Sequence, residues 1–294
     1  MIEVLCRAPF DLGLCLRATR SFVTNELVAP ESGGPETLRL GVWLADRPTL
    51  LEVRQRSEEP GVVAATASPE APAEELHRLV ARIVNADMEL LPFYKAAAGH
   101  PVMEALTLQF RGLKPFRPAS LFDMLVMAVT EQQISLTAAH HIQTRLVERF
   151  GSMVDGLPVF PRAQALAGAP LEALTGVGLS HRKAEYIEGM AAQVVSGALD
   201  LEAFETASAD EVRTRVADIR GFGMWSANYL LIRGLGRPDV VPYDDLGVRR
   251  IVGRLLGDGR VLTAAETEQA FAPFAPFRGL ATYYLLVASR GHAG

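Results

Sequence analysis

A chain of 294 residues, 49% hydrophobic and 21% charged, can bury a large core and has the make-up of an ordinary soluble globular protein, which excludes disordered and fibrous classes. No uncharged apolar run of membrane-spanning length occurs, and the opening MIEVLCRAPFDLG lacks the basic-then-apolar order of a secretory signal, so a cytoplasmic location is expected. A net charge of −5 taken alone argues against a nucleic-acid partner, and two cysteines, Cys6 and Cys15, are too few for a zinc or iron–sulfur site and are expected to be reduced.

Residues 37–46 and 49–57 alternate and are rich in strand formers, with Asp46-Arg47-Pro48 as the turn between them; 61–67 reads as a third strand. ESGGPE (31–36) reads as a loop. Pro72 precedes a helical stripe of Leu76, Leu79, Val80 and Ile83. The first part is therefore an α+β domain, an antiparallel sheet with helices on one face, over residues 1–114. Residues 100–118 read as the junction, closed by Pro115 and Pro118.

From Ser120 onward the period is helical. Ser120 with Asp123 resembles a capping box before 121–133, and Ser135 caps 136–150, which Gly151 ends. Ser180 and Gly197 bracket 181–196, Ser208 with Glu211 opens another helix, Thr263 with Glu266 opens a short one, and 277–290 stops at Gly291. The expected fold is mainly α: the α+β domain, then an all-α domain over 115–294.

Within the helical part, IRGFGMWSAN (219–228) joins two helices by a tight turn. Gly221 and Gly223 permit positive φ or close approach of another backbone, and Phe222 between them points inward as an anchor. The amides that start the next helix form a ready anion site; a turn of a plain helical bundle accounts for the run equally well. Between Arg213 and Arg254 stand eight arginines and four acids, a local balance of +4. That is enough for a small phosphate footprint, or for solvated helix faces.

The run I-R-G-F-G-M-W-S-A, a helix, and then P-Y-D-D-L-G (242–247), with EQQIS (131–135) upstream, resembles the helix-hairpin-helix DNA glycosylase superfamily. With the α+β domain attached, the chain is most similar to the alkylbase branch, that of bacterial 3-methyladenine DNA glycosylase II. The resemblance implies a monofunctional DNA N-glycosylase of base excision repair that flips alkylated purines out of duplex DNA and hydrolyses their glycosidic bonds, acting as a monomer. It makes Asp245 the catalytic carboxylate, with Asp244 as a helix cap or helper. Trp225 stands where the lyase branches carry the Schiff-base lysine, and with Tyr229 four residues on it forms one wall of a base pocket, unless it is a buried core aromatic. Arg220, Gly221, Phe222, Gly223 and Met224 form the DNA-contacting hairpin, and Gln133 matches the side chain that enters the duplex. The resemblance also implies a monovalent cation, Na+ or K+, on the main-chain carbonyls of Ala217, Ile219 and Gly221, and no required cofactor.

Two positions depart from the pattern. Arg220 replaces the family's usual proline, adding a phosphate contact or loosening the turn, and Leu286 stands where the enterobacterial-type enzyme has a second pocket tryptophan. The same fold acting on deaminated or oxidised purines, or a damage-binding protein without catalysis, are the competing readings. His140 and His141, adjacent on one helix, point to different sides and are read as structural. Arg182 and Lys183 read as phosphate contacts or a solvated helix start, and Arg249 and Arg250 as partners of Asp244 or of DNA.

Overall fold

The computed structural model describes residues 1–22, 37–56 and 61–290. The loop expected at 31–36 and the stop at Gly291 lie outside them. Four strands form an antiparallel sheet in the order β1-β4-β3-β2: β1 Ile2–Leu5, β2 Thr37–Leu44, β3 Arg47–Gln55 and β4 Val62–Ser68. The turn between β2 and β3 is Ala45–Asp46, both at positive φ (48° and 59°), not Asp46-Arg47-Pro48. A two-residue turn with both φ positive matches the twist of the strands, so Arg47 and Pro48 pair as strand residues opposite Leu44 and Trp43.

Sequence reading left β1 and the helix α1 (Leu12–Phe22) unassigned. A local signal for α1 was present: Asp11 Oδ1 accepts from Leu14 N at 2.7 Å, capping the helix. α2 (Ala73–Ile83) lies as expected, and α3 (Leu91–Ala97) and α4 (Pro101–Gln109) follow. The junction read at 100–118 is therefore partly helical, because Pro101 sits in the first turn, where its missing N–H costs nothing.

The helical part comprises α5 Leu121–Glu131, α6 Leu136–Phe150, α7 Ala163–Leu166, α8 Leu171–Gly176, α9 His181–Ser196, α10 Ala209–Ala217, α11 Met224–Tyr229, α12 Leu246–Leu255, α13 Ala264–Phe271 and α14 Arg278–Ser289. The Ser135 and Ser180 caps form, Gly197 ends α9 at φ 77°, and the boxes at Ser208/Glu211 and Thr263/Glu266 close completely. This part is not wholly helical. A hairpin of β5 (Ser152–Val154) and β6 (Leu157–Val159) packs on β2, on the face of Arg39, Gly41 and Trp43, opposite that of buried Leu38, Val42 and Leu44. A Cβ at Gly41 would lie 2.6 Å from Pro158 O, and Trp43 Nε1 donates to Phe160 O at 2.7 Å.

Two hydrophobic cores result. One joins the sheet and α1–α4 to Val241–Val287 at the C-terminal end; the other gathers Leu121–Val240. Tyr284 of α14 bonds into the N-terminal part: its hydroxyl donates to the carbonyls of Leu113 at 3.0 Å and Phe110 at 3.2 Å. The N-terminal sheet and the C-terminal helix thus share an interior. Among the described residues no helix is long and apolar enough to cross a membrane.

Candidate active site

The chain between α10 and α11 is a tight hairpin anchored by Ile219 and Phe222, both buried. Phe222 is turned into the core and anchors the turn, which leaves only its main chain to the contacting set expected at 220–224. The two glycines differ. Gly221 adopts φ +90°, and a Cβ there would fall 2.2 Å from the Tyr186 ring. Gly223 is extended (φ −133°, ψ −168°), needs no positive φ, and faces open space among the described residues. Gly221 answers to the protein interior, whereas the bareness of Gly223 leaves room for something arriving from outside. Among the described residues no side chain caps α11, whose N-terminal amides stay available, and Met224 is exposed. Arg220 projects at the tip, ion-paired with Glu185 at 2.9 Å and lying 5.8 Å from the Tyr186 ring centroid.

α5 ends at Glu131, two residues before its expected end, and Gln133 takes φ +57° with an exposed side chain. Two donors brace that turn. Gln132 Nε2 donates to Gly221 O at 3.1 Å and approaches Ser226 Oγ at 3.4 Å; Lys183 Nζ donates to Gln132 O at 2.6 Å and Thr130 O at 3.0 Å. Lys183, read as a phosphate contact or a solvated residue, is thus an internal clamp on the end of α5, and partial burial lowers its pKa. Of the carbonyls expected to hold a cation, that of Ile219 accepts from Phe222 N at 3.0 Å and that of Gly221 from Gln132. Each of these carbonyls keeps a second lone pair, so the hydrogen bonds leave all three able to hold a monovalent cation, and no step is assigned to it.

Beside the hairpin lies a cavity of about 340 Å³, within the size range of small-ligand pockets. Trp225 and Tyr229 form one wall as a stacked pair, centroids 5.1 Å apart and planes 24° apart. Trp225 is 44% exposed, so it is not a core aromatic. Burial pushes the Tyr229 phenol above its ordinary value, with Arg233 acting against the rise and Glu131 with it. Tyr283 and Leu286 of α14 line the same cavity, as does Thr19 of α1. Glu131, Arg233 and Tyr283 were missed in the sequence; Arg233 follows Tyr229 by one helical turn, a spacing that could have flagged it.

Asp245 lines the cavity and is the N-cap of α12: Oδ1 accepts from Val248 N at 2.9 Å. The capping role considered for Asp244 falls on Asp245, because the turn closed by Asp245 N on Pro242 O brings the second acid to the helix start. Oδ2 takes no hydrogen bond from the described residues and is free for other work. Asp245 is exposed, since a cap sits at the open end of its helix. A Cβ on Gly247 would lie 3.0 Å from Oδ1, a physical reason for glycine two residues after the acid.

Much of the local positive charge is committed internally. Arg237 donates to the carbonyls of Glu205 and Ala207, Arg249 to that of Leu262 at 2.6 Å rather than to Asp244, and Arg215 lies over Phe204. Arg250 and Arg254 remain exposed with Arg220. Cys6 and Cys15 are buried free thiols, raised by burial to about 11 and about 12.

A family model described as HhH-GPD superfamily base excision DNA repair protein matches residues 126–276. A Bacillus subtilis DNA-3-methyladenine glycosylase is 30% identical over 72% of this chain and 71% of its own. Among solved structures, the 3-methyladenine DNA-glycosylase from Archaeoglobus fulgidus superposes with a TM-score of 0.80 at 27% identity, covering 97% of each chain. The Schizosaccharomyces pombe 3-methyladenine DNA glycosylase in complex with abasic DNA gives 0.56 at 27% identity, over 66% of this chain and 94% of its own. A match across half of the chain, joined to a likeness of fold over nearly its full length, makes this chain a member of the HhH-GPD superfamily of base excision DNA repair proteins.

Proposed function

We propose that this DNA glycosylase is monofunctional and excises alkylated purines, of the 3-methyladenine and 7-methylguanine type, from duplex DNA. The observation that carries the reading is the carboxylate of Asp245, fixed through Oδ1 with Oδ2 free, at a cavity walled by the stacked Trp225 and Tyr229. Gln133 fills the gap in the duplex, while Arg220 and the amides of Gly223 and Met224 hold the neighbouring phosphate. The chain acts as a monomer and requires no cofactor.

A base inside a duplex is out of reach and must be rotated out, at a cost of a few kcal/mol that is smaller for a damaged base. An electron-poor alkylated ring then stacks on Trp225, where its positive charge meets the π face. As the C1′–N bond breaks, its electron pair leaves with the base, which departs neutral, and positive charge develops on the sugar. Oδ2 of Asp245 stabilises that charge. Water adds to C1′ and gives its proton to the same oxygen. Trp225 offers no amine for a Schiff base, hence the expectation of simple hydrolysis.

The test is release of free base from DNA treated with a methylating agent, comparing the wild-type protein with Asp245→Asn. Release by the wild type alone supports both reaction and carboxylate; equal release by the variant removes Asp245 from the chemistry.

A further inference from the structure

The cavity contains a second carboxylate that the excision chemistry leaves without a task. Glu131 closes α5 and lines the cavity. Its carboxylate takes a long hydrogen bond, 3.5 Å, from Gln143 Nε2 and interacts with the neighbouring Tyr229 hydroxyl, and none of the described residues forms an ion pair with it. Arg233 leans over the Tyr229 ring, 5.6 Å from its centroid, instead of closing on the acid. A carboxylate at the C-terminal end of a helix also meets the negative end of the helix dipole. A purely structural role would not favour an acid there.

A carboxylate without a counter-charge beside apolar walls is unfavourable unless a ligand supplies the missing charge. The Tyr229 hydroxyl beside it is buried with no hydrogen bond of ordinary length among the described residues and has the Glu131 carboxylate as its neighbour. Trp225 and Tyr229 supply a flat surface for a ring, and Glu131 stands at the Tyr229 side of it.

We infer that Glu131 is a recognition residue for the extruded base, accepting hydrogen bonds from N–H groups on its edge and favouring a positively charged ring over its neutral parent. The inference rests on reading this cavity as the base pocket. Asp245 acts on the sugar; Glu131 selects what is attached to it.

Nucleoside binding tests the assignment without requiring turnover. Trp225 reports on the cavity by fluorescence, while Trp43, hydrogen-bonded to Phe160 O, lies outside the cavity lining and gives a constant background. 7-Methylguanosine, in mildly acidic buffer where its ring is cationic, is titrated against guanosine. Wild-type protein should prefer the cation by about tenfold or more, the scale of a hydrogen bond to a charged group. Glu131→Gln, which keeps size and loses charge, should cut the preference several-fold to the part that stacking on Trp225 supplies, and Glu131→Asp should keep more of it. An unchanged preference in Glu131→Gln overturns the assignment, as does failure of the wild type to discriminate. Base release from methylated DNA separates the two readings. A preference cut in Glu131→Gln with no base release by the wild type upholds Glu131 and removes the proposed excision. Base release together with a preference that survives the substitution does the reverse.

Discussion

Gln132 and Gly221 stand 89 positions apart in the chain, yet the amide nitrogen of the first donates to the carbonyl oxygen of the second at 3.1 Å. The bond ties the turn that presents Gln133 to the hairpin that would hold the phosphate. Gln132→Leu removes a contact of about 1 kcal/mol. It should lower the unfolding midpoint by a few degrees and weaken binding to a duplex containing an abasic site roughly fivefold. Loss of stability with unchanged affinity would mean that turn and hairpin work independently.

Asp245 carries a cap as well as a proposed reaction, so the choice of substitution decides what is learned. Asparagine caps about as well as aspartate. Asp245→Asn should therefore keep its melting temperature and lose most base release, whereas Asp245→Ala should lose release and about 1 kcal/mol of stability. Gly247→Ala should retain the fold and slow release, because its Cβ would lie 3.0 Å from Oδ1 of Asp245. Full activity in Gly247→Ala would show that the position of the carboxylate is not critical.

The hairpin glycines require different experiments. Gly221→Val drives a side chain into the Tyr186 ring at φ +90°, so it should destabilise the protein and says little about DNA. Gly223→Val meets open space within the protein. It should leave the unfolding curve in place and reduce affinity for any duplex about tenfold or more. Unchanged affinity would detach the hairpin from phosphate binding.

Asp123, half-buried in the first turn of α5, should shape the pH profile of stability. Burial raises its pKa to about 7, with a hydrogen bond involving Ser120 working against the rise. The folded state therefore holds this proton more tightly than the unfolded chain. The associated stability is full in acid, below the ordinary carboxylate range, and is lost as pH rises through about 7. Asp123→Asn should be more stable than wild type above neutrality by roughly 1–2 kcal/mol and match it in acid. Thermal unfolding across that range decides it, and parallel curves for the two proteins would count against the shift.

Features set within a few residues were legible in the sequence. Ser135, Ser180 with Gly197, Ser208 with Glu211 and Thr263 with Glu266 mark helix ends through bonds to their own neighbours. The pairing of Trp225 with Tyr229 follows from helical spacing. What escaped depends on distant partners. β1 is a strand because β4, some sixty residues on, pairs with it. Arginines counted as a phosphate footprint turn out to hold carbonyls, a distinction that no charge count contains. Neither could two adjacent acids reveal which one caps α12, since the turn from Pro242 decides that.

The cavity lies on a seam. Tyr229 and Ile232 on one side pack with the core of Leu121–Val240, while Tyr283 on the other belongs with the core that the sheet shares with α14. A fragment cut to residues 126–276 would contain the hairpin and Asp245 and still lack α14, with Tyr283 and Leu286. It would also strand Phe271 and Phe274 without their neighbours from the N-terminal half. The unit that completes the cavity is therefore wider than the segment by which the family is recognised: one of its walls is built from helices near the two ends of the chain.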